Sequence, residues 1–310
     1  MKGLARAVAV IAGALAVAAP APAAFAARSG DVLTDSSVNW AGYVVAARPF
    51  SPPLRFTSVS GAWKQPAVTC TPGAPSAAAL WVGLGGSTAS SKALEQTGTA
   101  ADCSETGRVT YSIWYELVPA APVTTRLPLK PGDGIAASVA VSGKRVSIRI
   151  TNVTRGKRTF AKQVTMAAPA PDVSSAEWIA EAPSVCDPLG ACSVLPLADF
   201  GGAMFVVAKA AEAGHAGTIG DPAWTATAVS LVAGDAGDPP VIAAGEDGGA
   251  TPSPLTSDGS SFGVTWSAVV ERRLTASVSG GQQVARGSAS GQLERAPVAT
   301  TCTSVRRQCR

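Results

Sequence analysis

Polar and apolar residues alternate along several stretches in the body of the chain. Residues 111–116 read Tyr-Ser-Ile-Trp-Tyr-Glu, and residues 146–151 read Val-Ser-Ile-Arg-Ile-Thr. A period of two places successive side chains on opposite faces of a β-strand. The second stretch follows Val139 and Val141 across Ser142-Gly143-Lys144, so we predict a β-hairpin there.

Helical periodicity is weak throughout the chain. Ala203 to Gly214 is the closest candidate, and we predict that most of it is strand. The 32 Gly and 23 Pro residues, with many Val, Thr and Ser, favour short strands joined by turns. The predicted fold class is all-β: an antiparallel β-sandwich of two packed sheets, of the concanavalin or jelly-roll kind, over residues 39–266.

Residues 1–26 have the features of a secretory signal peptide. Lys2 and Arg6 precede an apolar run from Ala7 to Ala19, and Ala24-Phe25-Ala26 fits a small-x-small cleavage site. The run is shorter than the roughly 20 residues that cross a bilayer. We therefore expect a secreted, extracellular protein with no membrane segment in its mature form.

The two ends of the chain differ from the body in composition. Residues 27–38 form a short N-terminal segment, which leaves no room for a long propeptide before the sandwich. Residues 267–310 are rich in Ser, Gly and Arg; a strand is possible over 268–278, and we expect the rest to be a flexible tail. The net charge of +4 divides into +5 for this tail, +2 for residues 1–26 and −3 for the remainder. The body thus lacks the basic patch that nucleic-acid binding needs. Separately, we expect the protein to be a monomer.

Six cysteines suit the oxidising compartment that export implies. They allow 15 disulfide pairings, of which we favour sequential neighbours: Cys70 with Cys103, Cys186 with Cys192, and Cys302 with Cys309. A zinc site is the alternative, but the chain has no C-x-x-C spacing and only one histidine. We expect no metal and no cofactor.

Gly259-Ser260-Ser261-Phe262-Gly263 matches the G-x-S-x-G pattern of serine hydrolases. That pattern needs a strand-turn-helix setting and a histidine later in the chain. Here a turn at Asp258-Gly259 lies between predicted strands, and His215 comes earlier. We interpret the match as a coincidence and His215 as a loop residue.

Carboxylates are the remaining candidates for chemistry. If residues 176–182 form a strand, Glu177, Ile179 and Glu181 share one face. The two glutamates are then roughly 13 Å apart, too far to act together on one atom, so a catalytic partner would have to come from another strand. The alternative is a strand with two solvated glutamates. Trp114 and Glu116 also share a face, which fits either a groove floor or a core strand with an exposed edge.

Six segments, in order, resemble the motifs of the glutamic peptidases, the eqolisin family that includes scytalidoglutamic and aspergilloglutamic peptidases. They cover about three quarters of the chain and comprise residues 39–43, 81–83 with 96–98, 111–119, 151–156, 176–181 and 196–200. The resemblance implies two packed antiparallel sheets, in agreement with the strand pattern. It also implies cleavage of protein or peptide substrates in acid, insensitive to pepstatin, without metal or cofactor.

The resemblance assigns roles to individual residues. Glu181 matches the catalytic glutamate, Gln96 the catalytic glutamine and Glu177 a preceding, non-catalytic glutamate. Residues lining the substrate site are matched by Trp81, Trp114 and Glu116. In the implied mechanism, Glu181 takes a proton from water and later gives it to the leaving amine, while Gln96 donates to the oxyanion.

Two family acidic positions are not acidic in this chain. Gly85 replaces an Asp that commonly follows Trp-Val-Gly-Ile, and Ala100 stands four residues after Gln96 where a second acid is expected. Asp102 or Glu105 are the nearest candidates to substitute for them. These differences bear on the pH optimum and on specificity.

Two other functions remain open from the sequence. A glycoside hydrolase could use Glu116 and Glu181, which would require carboxyl groups about 5–9.5 Å apart. A catalytically silent carbohydrate- or wall-binding module is the second alternative. Gln96 separates the hypotheses, because only the peptidase needs it to cooperate with Glu181.

Overall fold

The computed structural model describes residues 32–88, 90–186, 192–232 and 248–268, and these contain strands and no helix. The strands are β1 (Leu33–Ser37), β2 (Trp40–Ala46), β3 (Phe56–Lys64), β4 (Ser76–Gly85), β5 (Leu94–Cys103), β6 (Val109–Leu117), β7 (Val123–Thr124), β8 (Gly134–Ser142), β9 (Arg145–Asn152), β10 (Arg158–Thr165), β11 (Ser175–Glu181), β12 (Ser184–Cys186), β13 (Cys192–Val194), β14 (Gly202–Glu212), β15 (His215–Thr218), β16 (Thr225–Leu231), β17 (Gly248–Pro252) and β18 (Phe262–Ala268). The all-β class predicted from the alternation is confirmed.

The strands form a sandwich of two packed layers. One layer, which we call the site sheet, has the order β16-β2-β11-β4-β5-β6-β7, and the back sheet has the order β10-β9-β8-β3-β14-β18-β17. A single residue pair, Leu231 with Ala250, continues the hydrogen-bonded path from β16 to β17 and so joins the layers. Neighbours along this path are antiparallel, but β1 adds to β16 in parallel. The short strand β15 pairs antiparallel with the end of β14. Strands β12 and β13 form a separate two-stranded sheet.

Aromatic side chains fill the space between the sheets. Trp178 on β11 donates its indole N–H to the Ser60 carbonyl on β3 at 2.8 Å. In the opposite direction, Trp63 on β3 donates to the Thr99 hydroxyl on β5 at 3.0 Å. Because both of these buried indoles find an acceptor in the facing sheet, hydrogen bonds as well as apolar burial hold the two layers together.

The central strands of the site sheet are buried on both of their faces. Strands β4, β5 and β11 show almost no alternation in exposure, unlike β8 or β9. The inner face packs on the back sheet, and the outer face carries a second apolar cluster. This outer cluster consists of Trp40, Ala79, Trp81, Leu94, Ala100, Trp114, Ile179 and Val229.

The local predictions from sequence are largely confirmed. Val139 and Ile150 lie in the predicted hairpin, in which β8 and β9 pair up to Ser142 with Arg145. Gly143 in its turn has a φ of +58°, a conformation that glycine adopts without strain. The stretch from Ala203 to Gly214 is mostly the strand β14, as predicted.

The disulfide between Cys70 and Cys103 is present, as predicted. Cys186 and Cys192 face each other across the β12–β13 ladder, but their side chains lie outside the described part of the structure. The predicted pair Cys302 and Cys309, the signal peptide and nearly all of the tail also lie outside it. Of the strand proposed for 268–278, only Ala268 is described, as the last residue of β18.

The interpretation of His215 as a loop residue was wrong. His215 begins β15, where it pairs with Glu212 of β14, and its Nε2 lies 3.1 Å from the Asp221 carboxylate. Ser261, the serine of the G-x-S-x-G match, has its hydroxyl 3.3 Å from the Ser260 hydroxyl in the loop between β17 and β18. The two groups that a serine hydrolase would join therefore have other partners.

Within the described ranges, no helix has the length and apolar character needed to span a bilayer.

Candidate active site

The register of β11, β4, β5 and β6 arranges the candidate residues in three rows across the outer face of the site sheet. The first row is Glu177, Gly83, Gln96 and Glu116; the second is Ile179, Trp81, Gly98 and Trp114; the third is Glu181, Ala79, Ala100 and Ser112. Within a row, neighbouring Cα atoms are separated by one strand spacing, about 4.8 Å. The rows thus bring residues distant in sequence onto one surface.

The alternation predicted for β11 is confirmed. Ile179 belongs to the outer cluster, whereas Trp178 and Ala180 belong to the core between the sheets. Glu177 and Glu181 therefore lie on the outer face with Ile179. Both glutamates are fully buried, so the alternative of two solvated glutamates is wrong.

The Glu181 carboxyl group accepts hydrogen bonds from the N–H groups of two side chains. The Trp81 indole N–H donates to Glu181 Oε2 at 2.7 Å, and the Asn39 amide donates to Oε1 at 3.3 Å. Such donors match a carboxylate, which accepts at both oxygens. Asn39 was noted in the sequence only as part of a motif, and nothing in its immediate neighbours signalled this contact.

Gln96 is bound to Glu116 in the first row. Its NH2 group donates to Glu116 Oε2 at 2.9 Å, and both side chains are buried. The Gln96 carbonyl oxygen is buried without a hydrogen-bond partner. Glu116, predicted to line the substrate site, thus fixes the direction in which the Gln96 amide points.

The strand register does not place Gln96 and Glu181 next to each other. They flank the second row from opposite sides, two strands and four residues apart. The structure therefore joins Gln96 with Glu116 in the first row, and Glu181 in the third row with Trp81 in the second.

Small residues in the rows leave room for indole rings. Ala79 and Ala100 pack in the outer cluster with Trp40, Trp81 and Trp114. The Trp40 and Trp81 rings meet edge to face, with centroids 5.1 Å apart. Trp40, a member of this cluster, was not predicted as a site residue, although it belongs to the 39–43 motif.

Two further carboxyl groups, those of Glu95 and Asp172, act on Glu177 at one end of the first row. Burial raises the pKa of Glu95 to about 8, and the negative charge of Asp172 adds to the shift. Burial likewise raises the pKa of Glu177 well above its usual value; the Ser175 hydroxyl opposes this, and the charges of Asp172 and Glu95 reinforce it. Neither carboxyl oxygen of Glu95 or Glu177 has a partner of hydrogen-bond geometry.

Asp172 occupies the space beside Gly85. A Cβ at position 85 would lie 2.8 Å from the Asp172 Cγ, and Gly85 has a φ of +82°. Burial acts to raise the pKa of Asp172, but hydrogen bonds from Ser91, Ser174 and the Gly86 amide prevail and lower it. A carboxylate from the loop before β11 thus lies where position 85 lacks one.

The candidates that the sequence offered for this substitution are placed elsewhere. Asp102 pairs with Thr110 near the far end of β5, and Glu105 is exposed in the following turn. Ala100 remains apolar in the outer cluster. Asp172 was not predictable, because it is 87 positions from Gly85 in the chain. Among the residues that the structure describes, no group of three or more His, Cys, Asp and Glu could hold a metal ion.

Residues 38–233 match the sequence model of the Peptidase A4 family. The chain belongs to the Peptidase A4 family. This match spans all of the residues in the three rows and also Asn39. No curated protein matches the chain in sequence.

Solved structures of glutamic peptidases share this fold. A scytalido-glutamic peptidase with a transition-state analogue inhibitor is 21% identical, with a TM-score of 0.59, and the alignment covers 74% of this chain and 99% of that one. SCP-B, a member of the eqolisin family in complex with the tripeptide Ala-Ile-His, is 24% identical with a TM-score of 0.52 and the same coverage. At these identities the likeness establishes the β-sandwich alone.

Family membership makes this A4 peptidase a glutamic-type endopeptidase, as the sequence motifs implied. The glycoside hydrolase alternative fits the register poorly. Glu116 and Glu181 lie three strands and four residues apart, which separates their Cα atoms by roughly 14 Å across the sheet and 13 Å along it. Carboxyl groups of a glycosidase pair are about 5–9.5 Å apart. The silent binding module finds no support in a peptidase family.

Proposed function

We propose that this A4 peptidase is a secreted acid endopeptidase in which Glu181 and Gln96 hydrolyse peptide bonds of protein substrates. The observation that carries the proposal is the state of Glu181: a buried carboxyl group bound by Trp81 and Asn39 on the same face as Gln96. An anchored carboxylate of this kind is suited to act as a general base.

Each side chain has one task in the proposed reaction. The Glu181 carboxylate accepts a proton from a water molecule, which attacks the scissile carbonyl. The Gln96 NH2 group has two N–H bonds. One donates a hydrogen bond to Glu116, and the other donates a hydrogen bond to the developing oxyanion. Protonated Glu181 then delivers its proton to the leaving amine. Atoms and charge balance without a metal or a cofactor.

The substrate lies over the second row in this proposal. Gln96 and Glu181 flank that row, so a peptide bond placed between them can be reached from both sides. Trp81 and Trp114 border the same position and offer apolar contacts to side chains of the peptide. A tripeptide bound to the eqolisin SCP-B, which has the same fold, supports a peptide as the ligand.

Export and assembly are parts of the proposal that rest on the sequence and one disulfide. The Cys70–Cys103 bridge fits an oxidising compartment, and residues 1–26 fit a signal peptide. We propose that the mature enzyme acts as an extracellular monomer that binds neither nucleic acid nor membranes.

The test is hydrolysis of a denatured protein by the purified enzyme from pH 2 to 7, with and without pepstatin. We expect cleavage in acid at a rate that pepstatin does not change. Gln96→Ala should lower kcat by about 10²-fold or more, the cost of losing an oxyanion donor, and Glu181→Gln should abolish cleavage. Exposed Glu105 provides the matched control, Glu105→Gln, which should keep the wild-type rate.

Folding is checked by circular dichroism, so that a loss of rate is not a loss of structure. A folded Glu181→Gln enzyme with the wild-type rate would refute the role of Glu181. Cleavage that pepstatin abolishes would point to a different catalytic apparatus.

A further inference from the structure

Two buried polar groups without partners lie in the same row of the site sheet. Gln96 Oε1 has no hydrogen-bond partner, and neither has the Glu177 carboxyl group. Both side chains are 0% exposed. Buried polar atoms are nearly always satisfied in folded proteins, so two such atoms close together call for an explanation.

Only Gly83 separates the two residues in the row. Glu177 pairs with Gly83 on one side, and Gly83 pairs with Gln96 on the other. The Cα atoms of Glu177 and Gln96 are therefore about 9.6 Å apart, two strand spacings, and their side chains extend from the same face. A Cβ at position 83 would lie 2.9 Å from the Trp81 ring, 3.0 Å from the Leu94 side chain and 3.2 Å from the Gln96 Cβ, so only glycine fits between the two residues.

The direction of the Gln96 amide is fixed by its other partner. Its NH2 group donates to Glu116 on β6, so its carbonyl oxygen is turned away from Glu116. Glu177, on the opposite side of Gln96 in the row, is the polar side chain available there. A carboxylate cannot satisfy a carbonyl oxygen, since both only accept, whereas a protonated carboxyl group donates one O–H.

The surroundings of Glu177 favour the protonated form. Asp172 in the loop before β11 acts on it with negative charge, and Glu95 on β5 adds to this at a pH where it is ionised. Glu181 lies four residues farther on the same strand face, Glu116 stands at the far end of the row, and Val44 of β2 lies opposite. The titratable groups among these neighbours are all acids, and burial by itself already disfavours the ionised form of Glu177.

We propose that Glu177 is a positioning residue: as a neutral acid it donates its proton, directly or through one water, to Gln96 Oε1 and so locks the amide with its free N–H toward the substrate. This inference rests on the proposed role of Gln96 at the oxyanion. Glu177 and Glu116 then hold the two ends of one amide, the first as donor and the second as acceptor. Ionisation of Glu177 at higher pH would remove the donor and release Gln96.

The test uses three variants of the full-length secreted enzyme, with kcat and KM measured from pH 2 to 8. Glu177→Leu removes the donor and should lower kcat at least tenfold while KM changes little. Glu177→Gln keeps an N–H donor at every pH. It should restore kcat to within about threefold of wild type in acid and extend activity to higher pH than wild type. Gln96→Ala reports separately on the oxyanion role.

The outcomes distinguish the two proposals. If Gln96→Ala abolishes cleavage while folded Glu177→Leu keeps the wild-type kcat and pH profile, the positioning role is wrong and the oxyanion role stands. If Gln96→Ala keeps the wild-type rate, both are wrong. Should Glu177→Leu fail to fold, the pH profile of Glu177→Gln decides: an upper limb identical to that of wild type overturns the inference.

Discussion

Buried polar side chains in this enzyme form two groups that differ in how completely they are paired. Asp133 accepts from the Arg155 guanidinium at 2.6 Å and from the Asn152 amide at 2.9 Å. Asn152 also donates to the Pro128 carbonyl. Glu95 and Glu177, by contrast, have no partners for their carboxyl oxygens. The first group supports the β8–β9 end of the back sheet. In the second group, Glu177 lies in the first row of the outer face, whereas Glu95, next to Gln96, lies on the inner face of β5.

Asn152→Ala should destabilise the fold, because it leaves the Pro128 carbonyl unpaired and removes a donor from Asp133. We expect the free energy of unfolding to fall by about 2 kcal/mol at pH 6, as measured by urea denaturation. Val153→Ala, a substitution at the exposed neighbour, should cost about 0.5 kcal/mol or less. A folded Asn152→Ala enzyme as stable as the Val153→Ala control would contradict a structural role for this network.

At the scale of single elements, a period-two pattern reveals which residues share a strand face but not which strand lies beside it. The sequence placed Glu177 with Glu181 on one face of β11, and this is confirmed. It could not place Gly83 between Glu177 and Gln96, because that depends on how β11 pairs with β4. Burial of β4 and β5 on both faces also erases the alternation that would have marked them as site strands.

Trp178 tests how the two sheets are connected through β11. Its ring is fully buried, and its N–H reaches Ser60 on β3. Trp178→Phe should cost roughly 1–3 kcal/mol by leaving the Ser60 carbonyl without its donor. Trp178→Ala also opens a cavity and should cost roughly 3–5 kcal/mol. Urea denaturation followed by circular dichroism measures both; an Ala variant no less stable than the Phe variant would show that packing at this position is unimportant.

Viewed as a whole molecule, the enzyme carries acids whose pKa values move in opposite directions. Bonds from neighbours lower the pKa of Asp172, and for Asp133 the bonds from Arg155 and Asn152 outweigh burial and do the same. Their contributions to stability exist above the ordinary pKa of an aspartate and are lost as the pH falls through the lowered values. Burial raises the pKa of Glu95 and Glu177, which has the opposite consequence. The strand content and the family could be recognised from local patterns, but this balance arises only when residues such as Glu95 and Asp172 meet in three dimensions.

The raised values predict that the folded enzyme loses stability toward neutral pH. The folded state holds protons on Glu95 up to a pKa of about 8, whereas the unfolded chain releases them near 4.5. Stability from this group is therefore complete below pH 4.5 and declines as the pH rises through 8, because the unfolded state gains by ionising first. Each unit of pKa difference corresponds to about 1.4 kcal/mol, so the decline should be on the order of 3 kcal/mol after allowing for residual solvation. Urea denaturation of wild type and Glu95→Gln between pH 4 and 9 measures it. The variant should lose much less stability over this range than wild type, while Glu105→Gln should follow the wild-type curve. Parallel curves for wild type and Glu95→Gln would mean that the buried carboxyl of Glu95 does not set the upper pH limit of the fold.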